Sequence, residues 1–398
     1  MKLYFIGGLY HTRNINEVQN ATKGMSQLAA NELQKSIING IVDNGLKIEV
    51  ISLPFIPSYP LKYKKIFSPS YFKVNGFINI SYFNLFPFNL ISKFIVLITY
   101  ILNNVKDKDC IFIVYSLHTP LLLATIIFKL LNKKCKICAI VPDLPVYMFG
   151  GKSTIYRILK RIDWNIVKML LVKIDSFVLV SSYMKEALKI KSKPNVIIEG
   201  IFDSRDKTDH MCGDKFDVFT FFYAGSLNQK YGIIELLRVF SKIKNDNIRL
   251  LLCGSGDAVS VVNDFQKRDK RILYLGVLQH DEVFKLERKS HILVNPRMSV
   301  EEFTKYSFPS KTMEFLASGT PAILFKLPGI PNEYYPYAYF IDGGEDNLYA
   351  MMSQVINIPL ASLEQFGLKA RRFILQNKNP KKTTEKILSM LCLETRLY

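Results

Sequence analysis

The sequence predicts an α/β protein made of two Rossmann-like halves. Three observations carry that expectation. Short apolar runs of strand length alternate with amphipathic runs of helix length. The alternation stops once, in a polar stretch over 203–217, and then restarts. The chain has 398 residues, more than the roughly 250–300 at which a single core stops growing. A composition of 49% hydrophobic, 22% charged and 13% aromatic residues excludes a disordered chain. Twenty Gly and 17 Pro without a period exclude a collagen-like or low-complexity one. No apolar run reaches the roughly 18–20 residues of a membrane span, and the run over 1–9 is too short for a signal peptide. The expectation is a chain that starts at Met1 and works in the cytosol.

In chain order, 2–6 reads as a strand ending in Gly7-Gly8. A polar loop follows, then a helix over 25–41 with Leu28, Ala29, Leu33, Ile37 and Ile41 at helical spacing. Gly45 precedes a strand over 47–53, and 54–86, with four Pro and many rings, reads as irregular. Helix 89–102, strand 110–115, helix 120–131, strand 136–141, helix 153–171, strand 176–180, helix 184–190 and strand 195–198 complete the first half. The second half opens with strand 218–223 and helix 233–243. Strand 248–253, helix 258–266, strand 272–275, helix 282–288 and strand 292–294 follow, then a helix over 309–317, strand 321–325 and a helical tail over 348–393. The expected domains are 1–199 and 217–375, joined by a linker over 200–216. Such alternation implies mostly parallel sheets, with ligands bound beyond the carboxyl ends of strands at helix N-termini. The two halves are expected to face each other across a cleft.

Net charge is +19 and lies mostly in the first half. Residues 1–200 hold 26 Lys and Arg against 11 Asp and Glu, whereas 201–398 hold 27 against 23. Residues 50–106 contain no acid but 13 aromatics and six lysines. That composition suits an anionic membrane surface, where each Lys contributes about 1 kcal/mol and rings settle at headgroup depth. An ordinary low-acid surface and a nucleic-acid contact are the other readings. Against nucleic acid, no RRM, helix-turn-helix or KH signature appears. Six cysteines (110, 135, 138, 212, 253 and 392) are expected to be buried apolar residues. Cys135 and Cys138 have CxxC spacing, but three positions apart in a strand they face opposite sides. His11, His210, His280 and His291 show no metal spacing, and no metal site is expected.

The densest motif joins Asn295-Pro296-Arg297, Tyr306-Ser307-Phe308-Pro309-Ser310-Lys311-Thr312-Met313-Glu314 and Ala317-Ser318-Gly319-Thr320-Pro321. Pro309 suits a helix start. Ser310 and Lys311 would lie at the N-terminus, whose free N–H groups and dipole attract phosphate. Glu314, one turn on, can accept from two vicinal hydroxyls, as on a ribose. A second motif runs from Tyr223 through Gly225-Ser226-Leu227-Asn228-Gln229-Lys230 to Gly232, a strand, a glycine turn and a helix. Lys230 would project from that turn and, with Arg297, neutralise a leaving diphosphate; the other reading of Lys230 is a solvated loop lysine.

Several single positions keep two readings. Gly7-Gly8 permits close approach of backbone to a ligand, or makes a plain turn. Gly254, in Cys253-Gly254-Ser255-Gly256-Asp257, contacts ligand, or belongs to a tight turn in which Asp257 caps the next helix. His118, at a strand end, hydrogen-bonds a sugar hydroxyl or phosphate, or is a structural histidine. Asp143 binds an acceptor hydroxyl or caps a turn.

With these residues in view, 223–341 resembles the donor half of the glycosyltransferases of family 4, which have the GT-B fold. The markers are GSL…KYG, LLCGSGD, ILYLG, SFPSKTMEFLASGTP and LPGIP. The N-terminal GG, SLHTP, VPDLPVYM and the IIEG strand are similar to the acceptor half. The likeness is greatest to bacterial members of capsule, O-antigen and exopolysaccharide assembly. It implies a GT-B hexosyltransferase that takes a nucleotide-diphosphate sugar, UDP-linked, extends a lipid-linked or oligosaccharide acceptor with retention, and needs no metal or other cofactor. It implies base contacts from 276–278, including Leu278, and a final helix over 376–398 packing back on the first domain. It places the enzyme peripherally on the inner face of the cell membrane. Of the family's two glutamates eight positions apart, Glu314 matches the second and Tyr306 stands at the first; Glu301 and Glu302 precede it. The family's diphosphate-binding Arg falls near Ser226, so Arg297 is the expected substitute. A nucleotide-sugar epimerase on a similar fold and an inactive partner subunit are the rival readings. Oligomeric state is left open.

Overall fold

A computed structural model describes residues 1–23, 28–145, 154–205, 214–298 and 302–393. The chain divides into two compact units, Met1–Ile201 with Pro380–Tyr398, and Phe202–Asn379. Of the stretch expected as a linker, 206–213 lies outside the described residues.

The first unit holds strands β1 (Lys2–Gly7), β2 (Ile48–Ser52), β3 (Phe72–Val74), β4 (Phe77–Asn79), β5 (Cys110–Tyr115), β6 (Lys136–Val141), β7 (Ser176–Leu179) and β8 (Asn195–Ile197). Its helices are α1 (Ile15–Ala21), α2 (Leu28–Asp43), α3 (Phe88–Asn104), α4 (Thr119–Leu131), α5 (Thr154–Leu171) and α6 (Met184–Ala187). The strands lie in the order β3-β4-β2-β1-β5-β6-β7-β8, parallel except for β3 against β4. All six residues of β5 are buried, as in a strand covered on both faces. Connections run to opposite sides of the β1–β5 pair, so their carboxyl ends form a topological switch point.

Two expectations for this unit are corrected. The stretch 54–86 is not wholly irregular: it contains the β3–β4 hairpin, turned by Asn75 and Gly76, both at positive φ. Asn-Gly is the pair that favours this turn, because both central residues need φ > 0. Helix α1 lies where a polar loop was expected, and Asn14 just before it donates to Asn79 Oδ1 at 3.1 Å, tying it to the end of β4.

The second unit holds β9 (Phe219–Ser226), β10 (Ile248–Ser255), β11 (Ile272–Tyr274), β12 (Ile292–Asn295), β13 (Ala322–Phe325) and β14 (Tyr339–Ile341). Its helices are α7 (Ile233–Lys242), α8 (Val259–Arg268), α9 (His280–Lys289), α10 (Ser310–Ser318), α11 (Glu345–Val355) and α12 (Leu360–Asn377). The sheet is parallel throughout, in the order β11-β10-β9-β12-β13-β14, with its switch point between β9 and β12. Edge strand β14, only three residues long, was not expected. Phe221, Phe222, Phe240, Phe315 and Tyr334 fill the core of this unit.

The last helix, α13 (Pro380–Met390), belongs to the first unit. It packs on α2, where a Cβ on Gly40 would overlap the Pro380 carbonyl. Asn44 donates to Lys381 O and Thr384 Oγ1, each at 3.0 Å. Ile387 and Leu388 are fully buried in the first unit's core.

Among the cysteines, 110, 135, 138 and 253 are buried, as expected. Cys392 is exposed, which corrects the expectation for it: it follows α13 at a positive φ, between Leu391 and Leu393, which pack on the core. Cys212 lies outside the described residues.

Candidate active site

In the second unit, the sequence-selected residues gather at the carboxyl edge of the sheet. Gly225 and Gly254 are paired in register at the ends of β9 and β10. Gly254 has φ +131°, and a Cβ there would overlap the Gly225 carbonyl, so close strand approach alone requires glycine. Asp257 does not cap the next helix. Its Oδ1 instead accepts from Gln229 N at 2.8 Å, while Asn228 Oδ1 accepts from Asp257 N at 3.1 Å. This reciprocal pair pins the loop that carries Lys230. Gly232, at φ +80°, begins α7, and a Cβ on it would meet the Pro296 carbonyl. The start of α7 is thereby seated against the loop after β12.

The seating brings Lys230 and Arg297 onto one cavity of about 200 Å³, lined also by Gln229, Tyr231, Glu235 and Phe303. The Tyr231 ring is near both cations, 5.1 Å from Lys230 Nζ and 5.6 Å from the Arg297 guanidinium carbon. The guanidinium also lies 4.8 Å from the Phe303 ring and donates to Ser307 Oγ at 3.4 Å. Both rings pack against the Arg297 guanidinium. Lys230 is exposed and has no ion-pair partner among the described residues. Glu235 is the carboxylate on the cavity wall. Two cations converging at a β9–β12 switch point suit a diphosphate.

Ser310, Lys311 and Glu314 form a second group at the start of α10. Pro309 occupies the N-cap position rather than the first helical one. Lys311 stands at the helix N-terminus, as expected, and also meets two carboxylates. Its Nζ lies 3.0 Å from Glu314 Oε2 and 3.5 Å from Glu287 Oε1. Burial alone would depress this ammonium, but the Glu314 and Glu287 carboxylates override it and hold the pKa above the ordinary lysine value. Lys311 is thus paired with both Glu314 and Glu287. His280 Nδ1, from the start of α9, lies 3.7 Å from Glu314 Oε1. Leu278 stands two residues earlier, half-buried, in the turn that Gly276 opens at φ +73°.

Glu287 and His280 were missed by sequence reasoning. Glu287 is fully buried in α9, and the available signal is that His280, Val283 and Glu287 share one helical face. Glu301 lies outside the described residues, and Glu302 is exposed at the start of a 3-10 turn.

In the first unit, Gly7, Gly8 and His118 meet at the β1–β5 switch point. Both glycines are buried, and the protein's own side chains fill the space beside them. Gly8 N donates to Gln34 Oε1 at 2.9 Å, and a Cβ on Gly8 would overlap the Phe55 ring. The same ring stacks on His118, centroids 5.5 Å apart at 17°. Ser116, at φ +70°, makes the bend that delivers His118 to the N-cap of α4. His118 Nδ1 is buried and has no hydrogen-bond partner among the described residues. Burial, with help from Lys93 and Lys160, drives its pKa well below the ordinary histidine value, so the ring is neutral.

Lys93, on α3, is a further residue that sequence reasoning missed. It is 5% exposed, with Nζ 4.7 Å from the Tyr82 ring and 5.9 Å from the Phe55 ring. Burial lowers its pKa to about 8. Asp143 follows β6 with its surface accessible, although partial desolvation raises its carboxyl pKa. The rest of its VPDLPVYM motif, 146–148, lies outside the described residues. Among the described residues, no helix is long and apolar enough to cross a membrane.

Residues 218–356 match the profile of a family described as Glycosyl transferases group 1. No protein with a curated description matches the sequence at a significant level. Many solved structures share the architecture. A trehalose-6-phosphate synthase, studied for glycosyltransfer with retention, superposes with TM-score 0.66 at 11% identity over 100% of both chains. The lipopolysaccharide outer core galactosyltransferase WaaB superposes at 0.63 and 12% identity, over 98% of this chain and 99% of that one. Anabaena HepE, solved in complex with UDP, gives 0.63 and 11%, over 98% of this chain and 100% of that one. The fold is GT-B, and the chain carries a glycosyltransferase domain over 218–356.

Proposed function

We propose that this chain is a retaining, metal-independent glycosyltransferase. It moves a sugar from a UDP-sugar onto a lipid-linked or oligosaccharide acceptor in bacterial surface-polysaccharide assembly, working peripherally at the inner face of the cell membrane. The observation that carries the reading is the meeting of Lys230 and Arg297 in one cavity at the β9–β12 switch point. Breaking the bond to the anomeric carbon leaves new negative charge on the diphosphate. Fixed cations aimed at that charge contribute on the order of 2–4 kcal/mol each, by analogy with single oxyanion donors.

Glu314, held by Lys311, takes the ribose hydroxyls, and the turn that contains Leu278 takes the base. The likeness to HepE with UDP and to a retaining trehalose-6-phosphate synthase motivates the choices of UDP and retention at the level of fold. With Tyr306 at the first glutamate position, the departing phosphate oxygen is the group that takes the acceptor proton. Neutral His118 contributes hydrogen bonds rather than charge, and Asp143 contacts an acceptor hydroxyl. The acid-free segment 50–106 supplies the membrane contact, with Phe67, Tyr71, Phe86 and Phe88 exposed along it.

A thermal-shift series with UDP, GDP, dTDP and CMP tests this. A nucleotide at about 100 times its dissociation constant adds about 2.7 kcal/mol to native stability. UDP is expected to raise the melting temperature most. No shift with any of the four contradicts the reading.

A further inference from the structure

A carboxylate stands in the cavity that Lys230 and Arg297 share. Glu235, in the first turn of α7, lines it from the helix side. The seating of Gly232 against the Pro296 carbonyl fixes the start of α7, and Glu235 lies three residues on, along the same helical face. Its Oε2 is buried and accepts no hydrogen bond among the described residues. Glu235 forms no ion pair with Lys230 or Arg297, although all three line a space of about 200 Å³. Arg238, the basic residue one turn further along α7, is engaged elsewhere, by Glu345 at 3.3 Å.

A buried carboxylate oxygen without a donor costs free energy, so a ligand that brings a donor to it gains affinity. A phosphate is not that donor. A diphosphate on Lys230 and Arg297 carries the same sign of charge as Glu235 and is repelled by it. An ionised carboxylate only accepts, so beside a diphosphate it is satisfied by an O–H or N–H on the group the diphosphate carries. On a nucleotide sugar that group is the sugar ring. The cavity is also smaller than the roughly 300–1,000 Å³ of complete small-molecule sites. Its size suits part of a nucleotide sugar, the end that holds the diphosphate and the sugar, with the nucleoside left to Glu314 and Leu278.

We propose that Glu235 binds the donor sugar. Its Oε2 accepts from a ring hydroxyl, or from the N–H of an acetamido group, on the sugar whose diphosphate lies on Lys230 and Arg297. Glu235 is then a specificity-determining residue. It favours a sugar that presents a hydrogen-bond donor to this wall and disfavours one that presents a carboxylate there, as a uronic acid would. This rests on the reading of the cavity as the diphosphate site, and the two fail in different ways.

Calorimetric titration of the intact chain with UDP, UDP-glucose, UDP-galactose and UDP-N-acetylglucosamine, in the wild type, Glu235→Ala and Glu235→Gln, reads the proposal. For the UDP-sugar that the wild type binds most tightly, Glu235→Ala should lose about tenfold or more in affinity, as a hydrogen bond to a charged group requires. UDP alone should bind Glu235→Ala at least as tightly as the wild type, because a negative charge beside the diphosphate is gone. That retained binding also shows the variant to be folded. Glu235→Gln keeps an acceptor oxygen without the charge and should lie between the two for the UDP-sugar. Whether the hexoses or the acetamido sugar suffers the larger loss tells which donor, O–H or N–H, meets Oε2. Equal losses for UDP and the UDP-sugar in both variants overturn the proposal, since Glu235 would then act on the shape of the site. Unchanged affinity for all four ligands overturns it too. In either case, UDP binding by the wild type leaves the donor reading in place. A wild type that binds neither UDP nor any UDP-sugar removes the donor reading and this inference with it.

Discussion

Lys93 and Lys311 carry their charges in opposite settings, and the difference is measurable. Burial lowers Lys93 to about 8, from an ordinary value of 10.5. Between those values the unfolded chain still holds a proton that the native chain has released, so native stability rises with pH through that window. Below about pH 8 the cost of the buried charge is fully present. Lys93→Met should therefore stabilise the protein at pH 7 by about 2–3 kcal/mol, with the gain shrinking toward pH 10. Thermal unfolding of both proteins across that range checks it, and a less stable variant at pH 7 would contradict the assignment. Lys311 is the converse case. Removing it takes away the cation that the fully buried Glu287 shares with Glu314. Lys311→Met should cost about 3 kcal/mol in urea unfolding, whereas Lys230→Ala, at an exposed lysine, should stay within about 0.5 kcal/mol. Equal effects would refute the split of roles. Both lysines of the motifs were visible in the sequence, but their settings were not, because one partner of Lys311, Glu287, comes from another helix. Lys93 was legible in principle. It continues the buried stripe Asn89, Lys93, Leu97, Ile101, spaced by four, and a lysine on such a stripe is the anomaly to notice.

Among elements, the long ones were readable from periodicity and the short ones were not. Strands β5, β6, β9 and β10 are apolar runs with turn residues behind them, and their assignment follows from burial on both faces. Strands β3, β4 and β14 have three residues each, too few for a period, and what orders them is pairing with a neighbour. The Asn75-Gly76 pair was the overlooked cue for the first two. Helix α13 shows a longer-range effect. Its side chains complete the core of a unit whose other elements end nearly two hundred residues earlier in the sequence. Ile387→Ala, at a fully buried position, should lower the unfolding free energy of that unit by about 2–4 kcal/mol. Loss of less than about 0.5 kcal/mol in denaturant titration would mean that α13 is not part of that core.

At the scale of the whole molecule, a mostly parallel eight-stranded sheet and a parallel six-stranded one each gather their selected residues at a switch point. In the first this is Gly7, Gly8 and His118; in the second it is Gly225, Lys230 and Arg297. The sequence carried this because strand ends with glycine or polar turns can be read locally, and strand order then brings distant turns together. What it withheld was the chemistry added by neighbouring helices, namely Glu287, His280 and Lys93. The central claim is that Lys230 and Arg297 jointly hold the diphosphate of a nucleotide sugar. Calorimetric titration of UDP into the wild type, Arg297→Ala and Lys230→Ala tests it most directly. The account predicts a loss of affinity of about tenfold or more in each variant, as a charge-assisted contact to phosphate requires, with folding preserved. Wild-type UDP affinity in both variants would contradict it.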